Sequence, residues 1–376
     1  KKETLESRID VFTQGASTKN IMQMLWIFIL AGAFANTAKD IGSIDATVNL
    51  ILSLLPQSLI LPGLFFATCF ISLSVGTSVG TIVALVPIAA GLATSMHASL
   101  PLVTAVVVGG AFFGDNLSFI SDTTIAATNS QNCKMSDKFK VNIYIALPAA
   151  LIVLAIYSFI GFNLHSQPVA QQIDIVKVLP YLAVLVTAMM GINVFTVLVT
   201  GVALAFVIGL FDGNHDVFSL FHSMGDGVLS MSELIIITML AGGLFGLVRH
   251  DGGIDYIISK ISKRVKGKRG AELVICSLVA AVDVCTANNT VAIITVGGIA
   301  QKISKVYDVD NRRVASLLDT SSCVMQGIIP YGAQMLMASG LARLNPLDII
   351  PYLYYPFILL IFVLGSIMFR FPKKYS

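Results

Sequence analysis

The sequence predicts an all-α, polytopic membrane protein made of two inverted repeats with re-entrant hairpins and broken helices, and three observations support this fold class. Of the 376 residues, 56% are apolar and only 12% are charged, whereas soluble domains average about 25% charged residues. Apolar stretches of about 15 to 23 residues recur along the chain, close to the ~20 residues that cross hydrocarbon as a helix. Polar patterns of the first half also return in the second half. The composition excludes a soluble enzyme, a disordered protein and a nucleic-acid-binding protein.

The apolar regions are of two kinds, uninterrupted and interrupted. Uninterrupted spans are predicted near 21–38, 141–163, 231–248 and 349–371, and two short helices are predicted in 178–211. Polar or Gly-rich clusters at 74–81, 114–118, 283–290 and 319–322 interrupt the regions 58–95, 101–128, 271–302 and 311–342. Backbone that leaves a helix at membrane depth must be buried in protein or line a wet cavity. The interruptions therefore indicate where functional residues lie.

Lys and Arg residues predict the orientation of these helices. The segments 1–20, 129–140, 249–269, 302–313 and 370–374 contain 21 of the 24 basic residues. Because basic loops stay in the cytoplasm, these segments and the C-terminus are predicted to be cytoplasmic, and 212–230 external. Each arm of 271–302 has only about 13 apolar residues, too few to span, so this region is predicted to be a re-entrant hairpin with its tip at 286–290. Two short complete crossings are the alternative.

Short patterns recur at a nearly constant spacing, which indicates a repeat. Gly42-Ser43-Ile44-Asp45 matches Gly252-Gly253-Ile254-Asp255 at a shift of 210, and shifts of 209 and 204 align Thr77 with Thr286 and Asp115 with Asp319. The first-half counterparts of two basic segments carry no Lys or Arg, so equivalent loops are predicted on opposite faces.

Inverted repeats with broken helices are typical of secondary transporters. The repeats are assigned to 1–163 and 178–376, with scaffold and transport elements interleaved in both, and about two helices are expected to precede residue 1.

Carboxylates at membrane depth are the strongest functional candidates, because they are costly there and normally face the bundle interior. The candidates are Asp115, Asp122, Asp283 and Asp319, of which Asp115, Asp122 and Asp319 are predicted to bind sodium. The predicted ion-binding set is Asp115, Asn116, Ser118, Ser121, Asp122, Thr123, Asp319, Ser322 and Gln326. The hairpin tips are predicted to add Thr77, Ser78, Thr81, Asn288, Asn289 and Thr290.

This oxygen-rich set suits a hard cation. For a single hydroxyl, capping or helix–helix bonding is the alternative. The five cysteines show no CxxC pairing, so neither a disulfide framework nor a zinc site is indicated, and no cofactor is expected besides transported ions.

One long motif resembles a known family. The stretch 109–124, GGAFFGDNLSFISDTT, is similar to the G-D-x-x-S-P-x-S-D-T-T motif of the NhaC-type sodium/proton antiporter family, and Gly76-Thr77-Ser78 resembles its G-T-S hairpin. Phe119 stands where the family usually has Pro, and Val79 where an aromatic residue often follows. The resemblance implies the ion-transporter superfamily fold and an elevator movement. It also implies functional roles for Asp115, Ser118, Ser121, Asp122 and Thr123.

These observations predict a secondary transporter of a bacterial inner membrane that exchanges cytoplasmic Na⁺ for external H⁺ through buried carboxylates, and not an enzyme. The expected partners are the lipid bilayer, sodium ions and protons, without nucleic acid. The oligomeric state stays open, with a homodimer among the candidates.

Two alternatives stay open. An ion-coupled exchanger of small organic acids or amino acids needs a positive group for the substrate carboxylate. No Lys or Arg lies at a break in the sequence, but hairpin-tip amides could substitute. An intramembrane aspartyl protease needs two carboxylates that share a proton. Asp115 and Asp319 could mimic that pair, but proteolysis requires neither repeats nor hairpins.

Overall fold

The computed structural model describes residues 4–162, 174–262 and 267–375, and every regular element in these ranges is helical. In chain order the α-helices are α1 Leu5–Ala16, α2 Lys19–Asp40, α3 Ser43–Leu54, α4 Ile60–Val75, α5 Ser78–Ser95, α6 Leu100–Leu117, α7 Asp122–Ser130, α8 Met135–Phe162, α9 Ile175–Met189, α10 Val194–Phe211, α11 Val217–Ser230, α12 Ser232–His250, α13 Gly253–Ser262, α14 Gly267–Thr286, α15 Asn289–Tyr307, α16 Asn311–Ile328, α17 Ala333–Ala342, α18 Pro346–Ile349 and α19 Tyr354–Met368. The predicted all-α class is confirmed. Part of the basic segment 249–269 lies outside the described residues.

Seven helical stretches in the described part of the chain are long and apolar enough to cross a membrane. The helices α2, α8 and α12 match three of the predicted uninterrupted spans, and α9 and α10 match the predicted helix pair. The prediction of an unbroken span over 349–371 is wrong, because Pro346–Tyr352 and Tyr354–Met368 meet at an angle of 55°. Pro351 and Pro356 flank this bend, and proline cannot donate the backbone hydrogen bond that continues a helix.

Two helical hairpins place their tips in the protein interior. The first, α4 and α5, turns at Gly76 and Thr77, and the second, α14 and α15, turns at Ala287 and Asn288. Each turn is a left-handed residue followed by an extended residue that caps the next helix. The second turn falls within the predicted tip. Its arms are longer than the predicted 13 residues: α14 has 20 residues and α15 has 19. The difference arises because both helices continue into charged ends beyond the apolar stretch.

Two further helices are broken, and both breaks differ in position from the prediction. The chain leaves helical geometry at 118–121, between α6 and α7, and at 329–332, between α16 and α17. The predicted break at 319–322 lies inside α16. There Thr320 and Ser322 donate their hydroxyls to carbonyls of their own helix, so these polar residues do not interrupt it. Pro330 and Gly332 end the helix instead.

The backbone of the second half follows that of the first at a fixed distance along the sequence. Left-handed residues occur in the pairs Gly76 and Ala287, His97 and Asp308, and Asn132 and Arg343, each 211 positions apart. The contacts between helices are exchanged between the halves in the same way. α1 packs on α12, and the equivalent pair, α11 and α2, also packs together. α7 packs on α15, and the equivalent pair, α17 and α5, does the same. Such exchange is what a two-fold relation produces. The division into repeats at 1–163 and 178–376 stays a proposal.

Glycines allow the exchanged helices to approach closely. A Cβ atom added to Gly15 of α1 would lie 2.6 Å from the Gly242 carbonyl oxygen of α12. The same relation joins α2 and α11, where Gly32 faces the Gly227 backbone. Small residues at such crossings let helix backbones pack directly on each other in membranes. These crossings bring the backbones of α1 and α12, and of α2 and α11, into direct contact beside the hairpins.

The basic segments gather at one end of the molecule, here named the basic end. Arg8 pairs with Asp251 and Lys268 pairs with Asp308, which joins the segments 1–20, 249–269 and 302–313. The Lys268 ammonium, hydrogen-bonded to Asp308, holds the pKa of that carboxyl below its usual range. Segment 370–374 lies at the same end, since Arg313 donates to the nearby Phe371 carbonyl oxygen. Segment 129–140 lines a surface cavity together with residues 310–312.

Candidate functional site

The tip of the first hairpin packs against the break between α6 and α7. Asp115, near the end of α6, is 4% exposed, and its Oδ1 accepts a hydrogen bond from the Ser78 backbone N–H at 3.0 Å. Ser78 begins α5, where backbone N–H groups lack a partner within the helix and the helix dipole favours a negative charge. A Cβ at Gly76 would lie 2.5 Å from the Ile120 side chain, so this approach requires glycine.

Hydroxyl groups satisfy the backbone that the first break sets free. Ser121 Oγ donates to the Asp115 carbonyl oxygen at 3.0 Å and accepts the Thr124 backbone N–H at 3.3 Å, which caps α7. Ser118 Oγ donates to the Leu73 carbonyl oxygen of the first hairpin at 3.2 Å. Thr123 Oγ1 lies 3.2 Å from Ser121 Oγ. These residues therefore hold the break in shape, as N-caps do elsewhere.

Two glutamines connect the hairpin tips. Gln334 Nε2 donates to Ser78 Oγ of the first tip at 3.0 Å, and Gln334 Oε1 accepts from Gln326 Nε2 at 2.9 Å. Gln326 Nε2 also donates to the Ala287 carbonyl oxygen of the second tip at 3.1 Å. We name this chain of hydrogen bonds, from Ser78 through Gln334 and Gln326 to Ala287, the glutamine bridge. It places both tips at one buried level of the protein.

A buried lysine neutralises Asp319. Lys138 Nζ lies 2.8 Å from Asp319 Oδ2 and donates to the Asn116 carbonyl oxygen at 2.9 Å. Both partners are almost fully buried, and Asn142 Nδ2 donates to the same Asp319 oxygen at 2.9 Å. The sequence placed Lys138 in a cytoplasmic loop and found no basic residue at a break. Both predictions are wrong, because α8 begins at Met135 and Lys138, in its first turns, is buried.

Asp122 does not share this burial. Its side chain is exposed at the first turn of α7, where a carboxylate complements the helix dipole. The expectation that Asp115, Asp122 and Asp319 line one buried site is therefore wrong for Asp122.

The backbone equivalence also corrects the predicted pairing of the two halves. At the spacing of 211 residues, Asp115 corresponds to Gln326 and not to Asp319, and Thr77 corresponds to Asn288 and not to Thr286. The sequence alignment failed here because short polar patterns match at several shifts, whereas helix ends fix one shift. Asp115 and Gln326 occupy equivalent places, two residues before the end of α6 and of α16.

The other predicted residues lie at the tips or inside the helices. Asn288 caps α15 through the Val291 N–H, and Asn289 is buried beside the Cys323 thiol. Thr77 is the half-buried N-cap of α5, and Thr290 is half-buried at the start of α15. Thr81 and Ser322 donate their hydroxyls to the Thr77 and Asp319 carbonyl oxygens. Asn116 donates its amide to the Phe112 carbonyl oxygen and the Tyr355 hydroxyl.

The family to which the chain belongs follows from its match to known sequences. The sequence model of the Na⁺/H⁺ antiporter family covers residues 4–162 and 169–373. The chain belongs to the Na⁺/H⁺ antiporter family. It is similar to the Na⁺/H⁺ antiporter NhaC of Bacillus subtilis, with 25% identity over 95% of this chain and 85% of the relative. The family resemblance of the 109–124 motif is confirmed, and the chain is a multi-pass membrane transporter rather than an enzyme.

Two further relatives are antiporters named for other cargo. The malate-2H⁺/Na⁺-lactate antiporter of Bacillus subtilis is 20% identical over 90% of this chain and 79% of its own length. The arginine/ornithine antiporter ArcD of Halobacterium salinarum is 22% identical over 92% of this chain and 79% of its own length. Among solved structures, the Alcanivorax borkumensis YdaH transporter matches with a TM-score of 0.44 and 13% identity, over 98% of this chain and 90% of that chain.

Sequence reasoning missed several residues of this antiporter's polar interior. Lys138, Asn142 and Gln334 were missed because their neighbours read as a loop or as ordinary helix. Glu272, which is not in the predicted set, is buried and pairs with Arg313 at 3.3 Å. A signal was present for Lys138, since it precedes the apolar part of α8 by one turn.

Buried acceptor oxygens without a hydrogen-bond donor are a feature of this interior. Among the described residues, several buried side-chain oxygens accept no hydrogen bond from the protein, and they belong to α6, α8, α14 and α16. They are Asn116 Oδ1, Asn142 Oδ1, Asp319 Oδ1, Gln326 Oε1 and both carboxylate oxygens of Asp283. Buried oxygens without donors favour a cation or a proton. No cluster of three or more His, Cys, Asp or Glu side chains that could hold a metal occurs in the described ranges.

Proposed function

We propose that this family member exchanges Na⁺ for H⁺ at Asp115. The observation that carries the proposal is the different neutralisation of two buried carboxylates. Asp319 has Lys138 as a counter-ion at 2.8 Å, whereas none of the ion pairs of the described residues involves Asp115. Asp115 keeps one backbone N–H from the hairpin tip and has charge available for a transported cation.

One carboxylate can couple the two flows because it cannot hold both ions at once. A buried carboxylate needs a proton or a cation to offset the loss of water. Sodium binds oxygen ligands, and the hydroxyl oxygen of Ser78 lies within hydrogen-bonding distance of the Asp115 carboxylate. Exchange follows if the binding site faces the two sides of the membrane in turn.

We assign the hairpins and broken helices, α4–α7 and α14–α17, to a moving domain. The glutamine bridge and the packing of α5 on α17 and α7 on α15 connect these elements to each other. A cavity of about 510 Å³ separates the second tip from α1, α2 and α12. The basic end faces the cytoplasm under the positive-inside rule, and this orientation makes the C-terminus cytoplasmic.

Transport in proteoliposomes with an enclosed pH dye tests the proposal. A step of external Na⁺ is expected to raise the pH of the lumen, the side opposite to the added Na⁺. Protons leave the lumen as Na⁺ enters, so the lumen becomes alkaline. This change in lumenal pH is expected to be absent with the Asp115→Asn protein. Asp45→Asn changes an exposed carboxylate and serves as the matched control, with full exchange expected. Full Na⁺-driven proton movement by the Asp115→Asn protein would overturn the proposal.

A second candidate function is exchange of a small organic acid or amino acid with an ion. The cavity of about 510 Å³ favours it, because this volume exceeds what Na⁺ needs and Arg249 contributes to its lining. Two relatives are named for such cargo. Lys138 cannot serve as the substrate's counter-ion while it is paired with Asp319. Adding malate, lactate, arginine or ornithine to the same assay separates the candidates, since only an organic-substrate exchanger needs one of them.

A further inference from the structure

The ammonium group of Lys138 has surroundings that the exchange at Asp115 does not explain. Its Nζ contacts three oxygen atoms, Asp319 Oδ2, the Asn116 carbonyl oxygen and Thr124 Oγ1, all within 2.9 Å. An ammonium has three N–H groups and no acceptor, so each N–H has one oxygen. The side chain is 1% exposed. The protein therefore surrounds one positive charge with oxygen ligands away from bulk water.

The three oxygens come from three helices, α6, α7 and α16, and the lysine reaches them from α8. The α6 oxygen is one of the last carbonyls of its helix, which have no partner within the helix. A carboxylate, a carbonyl and a hydroxyl oxygen together are ligands of the kind that hard metal cations prefer. The set therefore resembles the first coordination sphere of a bound ion, with an ammonium in the place of the metal.

Groups other than the lysine hold these oxygens in place. The Thr124 hydroxyl donates its hydrogen to the Ser118 carbonyl oxygen at 2.9 Å, which leaves the lone pairs of Thr124 Oγ1 for the ammonium. Asn142 Nδ2 donates to the Asn116 carbonyl oxygen at 2.8 Å and to Asp319 Oδ2 at 2.9 Å. If the lysine only paired with one carboxylate, the remaining oxygens would have no reason to be fixed in this way. The oxygen cage is therefore expected to persist without the lysine.

The charge of this cage fits one monovalent cation. Asp319 is the only carboxylate among the three ligands, and Lys138 supplies one positive charge, so the buried group is neutral as a whole. Removal of either charge leaves the other uncompensated, which is costly in the interior. Two further oxygens accept no hydrogen bond, Asp319 Oδ1 on the same carboxylate and Asn142 Oδ1 on the amide bonded to it. These oxygens are available to a metal ion that replaces the ammonium.

We propose that Lys138 is a tethered cation, a positive charge fixed covalently to the chain, which fills a site for a monovalent metal cation at Asp319. Because the ammonium belongs to α8, it cannot be transported, and it keeps Na⁺ and K⁺ out of the site. The exchangeable cation is thereby confined to Asp115. This last step rests on the proposed function of Asp115, whereas the site at Asp319 does not. Truncation of Lys138 opens the cage, and Na⁺ or K⁺ then binds there.

The melting temperature of the purified full chain in detergent tests this site without transport. It is measured at equal concentrations of NaCl, KCl and choline chloride, and every variant also has Asp115→Asn, so that binding at Asp115 does not contribute. Lys138→Ala is expected to gain about 3 °C over this parent protein in Na⁺ or K⁺ relative to choline, at roughly a hundred times the Kd. Lys138→Met removes the charge but fills the same space, so this matched control is expected to show no gain.

Addition of Asp319→Asn to the Lys138→Ala protein is expected to abolish the gain, because the cage loses its carboxylate. No gain for Lys138→Ala overturns the inference, and so does an equal gain for Lys138→Met, since binding would then lie outside the vacated space. Lys138→Ser takes the place of Lys138→Ala if the latter does not fold. Failure of both to fold in Na⁺ and in K⁺ also overturns the inference, because a bound cation would restore neutrality. Absence of exchange by the wild type would instead refute the proposed function alone.

Discussion

At the scale of single residues, the neighbours of three buried carboxylates decide what each can do. Asp319 has a counter-ion in Lys138, Asp115 accepts hydrogen bonds from the backbone N–H and the hydroxyl of Ser78, and Asp283 lies beside the Gln326 backbone without a counter-ion among the described residues. The sequence predicted Asp115 and Asp319 from their depth in apolar stretches. It could not distinguish their roles, because the partner of Asp319 is a lysine 181 positions earlier that reads as part of a basic loop.

The Lys138–Asp319 pair predicts a sharp effect on stability. Lys138→Met leaves Asp319 buried without its counter-ion, which is expected to lower the free energy of unfolding by about 3–5 kcal/mol. The double variant Lys138→Met with Asp319→Asn removes both charges and is expected to recover most of that loss. Thermal unfolding of the purified protein in detergent measures both.

Lys140 provides the matched control. Its ammonium lies 3.8 Å from Asp137 and its side chain is 62% exposed, so Lys140→Met is expected to change stability by less than about 1 kcal/mol. Equal losses for Lys138→Met and Lys140→Met would contradict the assignment of a buried ion pair.

At the scale of elements, the sequence indicated hairpins and broken helices but misplaced their turns. Polar clusters mark both kinds of element, yet a Ser or Thr can donate to a carbonyl of its own helix and leave the helix intact, as Thr320 and Ser322 do. The real breaks occur where Pro330 and Gly332 or a serine cap changes the backbone. The glutamine bridge was not predictable, because it depends on which tips meet in three dimensions.

The glutamine bridge predicts that the two tips act together. Gln334→Ala removes the donor to Ser78 Oγ and the acceptor for Gln326, which is expected to cost about 1–3 kcal/mol of stability and to slow exchange. Ser339→Ala, on the same helix but bonded only to the Leu336 carbonyl oxygen, is the control. Unchanged stability and exchange in the Gln334→Ala protein would show that the tips are independent.

At the scale of the whole molecule, the distribution of basic residues defines one end, and the proposed orientation rests on it. The opposite end includes Lys177 and Asp212, where the Lys177 ammonium holds the pKa of the Asp212 carboxyl below its usual range. The sequence predicted this asymmetry well because charge placement is local information. It predicted the all-α class for the same reason, since apolar length and composition do not depend on tertiary contacts.

Labelling of single cysteines in intact cells tests the orientation. In a protein without its native cysteines, an impermeant thiol reagent is expected to modify Asn214→Cys and to spare Lys305→Cys, because both positions are exposed but lie at opposite ends. Permeabilised cells should label both. Labelling of position 305 alone from outside would invert the proposed topology.

Competition between Na⁺ and H⁺ for Asp115 is the central claim, and the pH dependence of the apparent Na⁺ affinity tests it most directly. In proteoliposomes with the membrane potential clamped, protons at the Na⁺-loading side occupy the carboxylate that Na⁺ needs. The KM for Na⁺ is therefore expected to rise by up to about tenfold for each unit of acidification at this one carboxylate, while the maximal rate stays constant. A KM that does not change with pH, with a maximal rate that falls in acid, would contradict competition at one carboxylate.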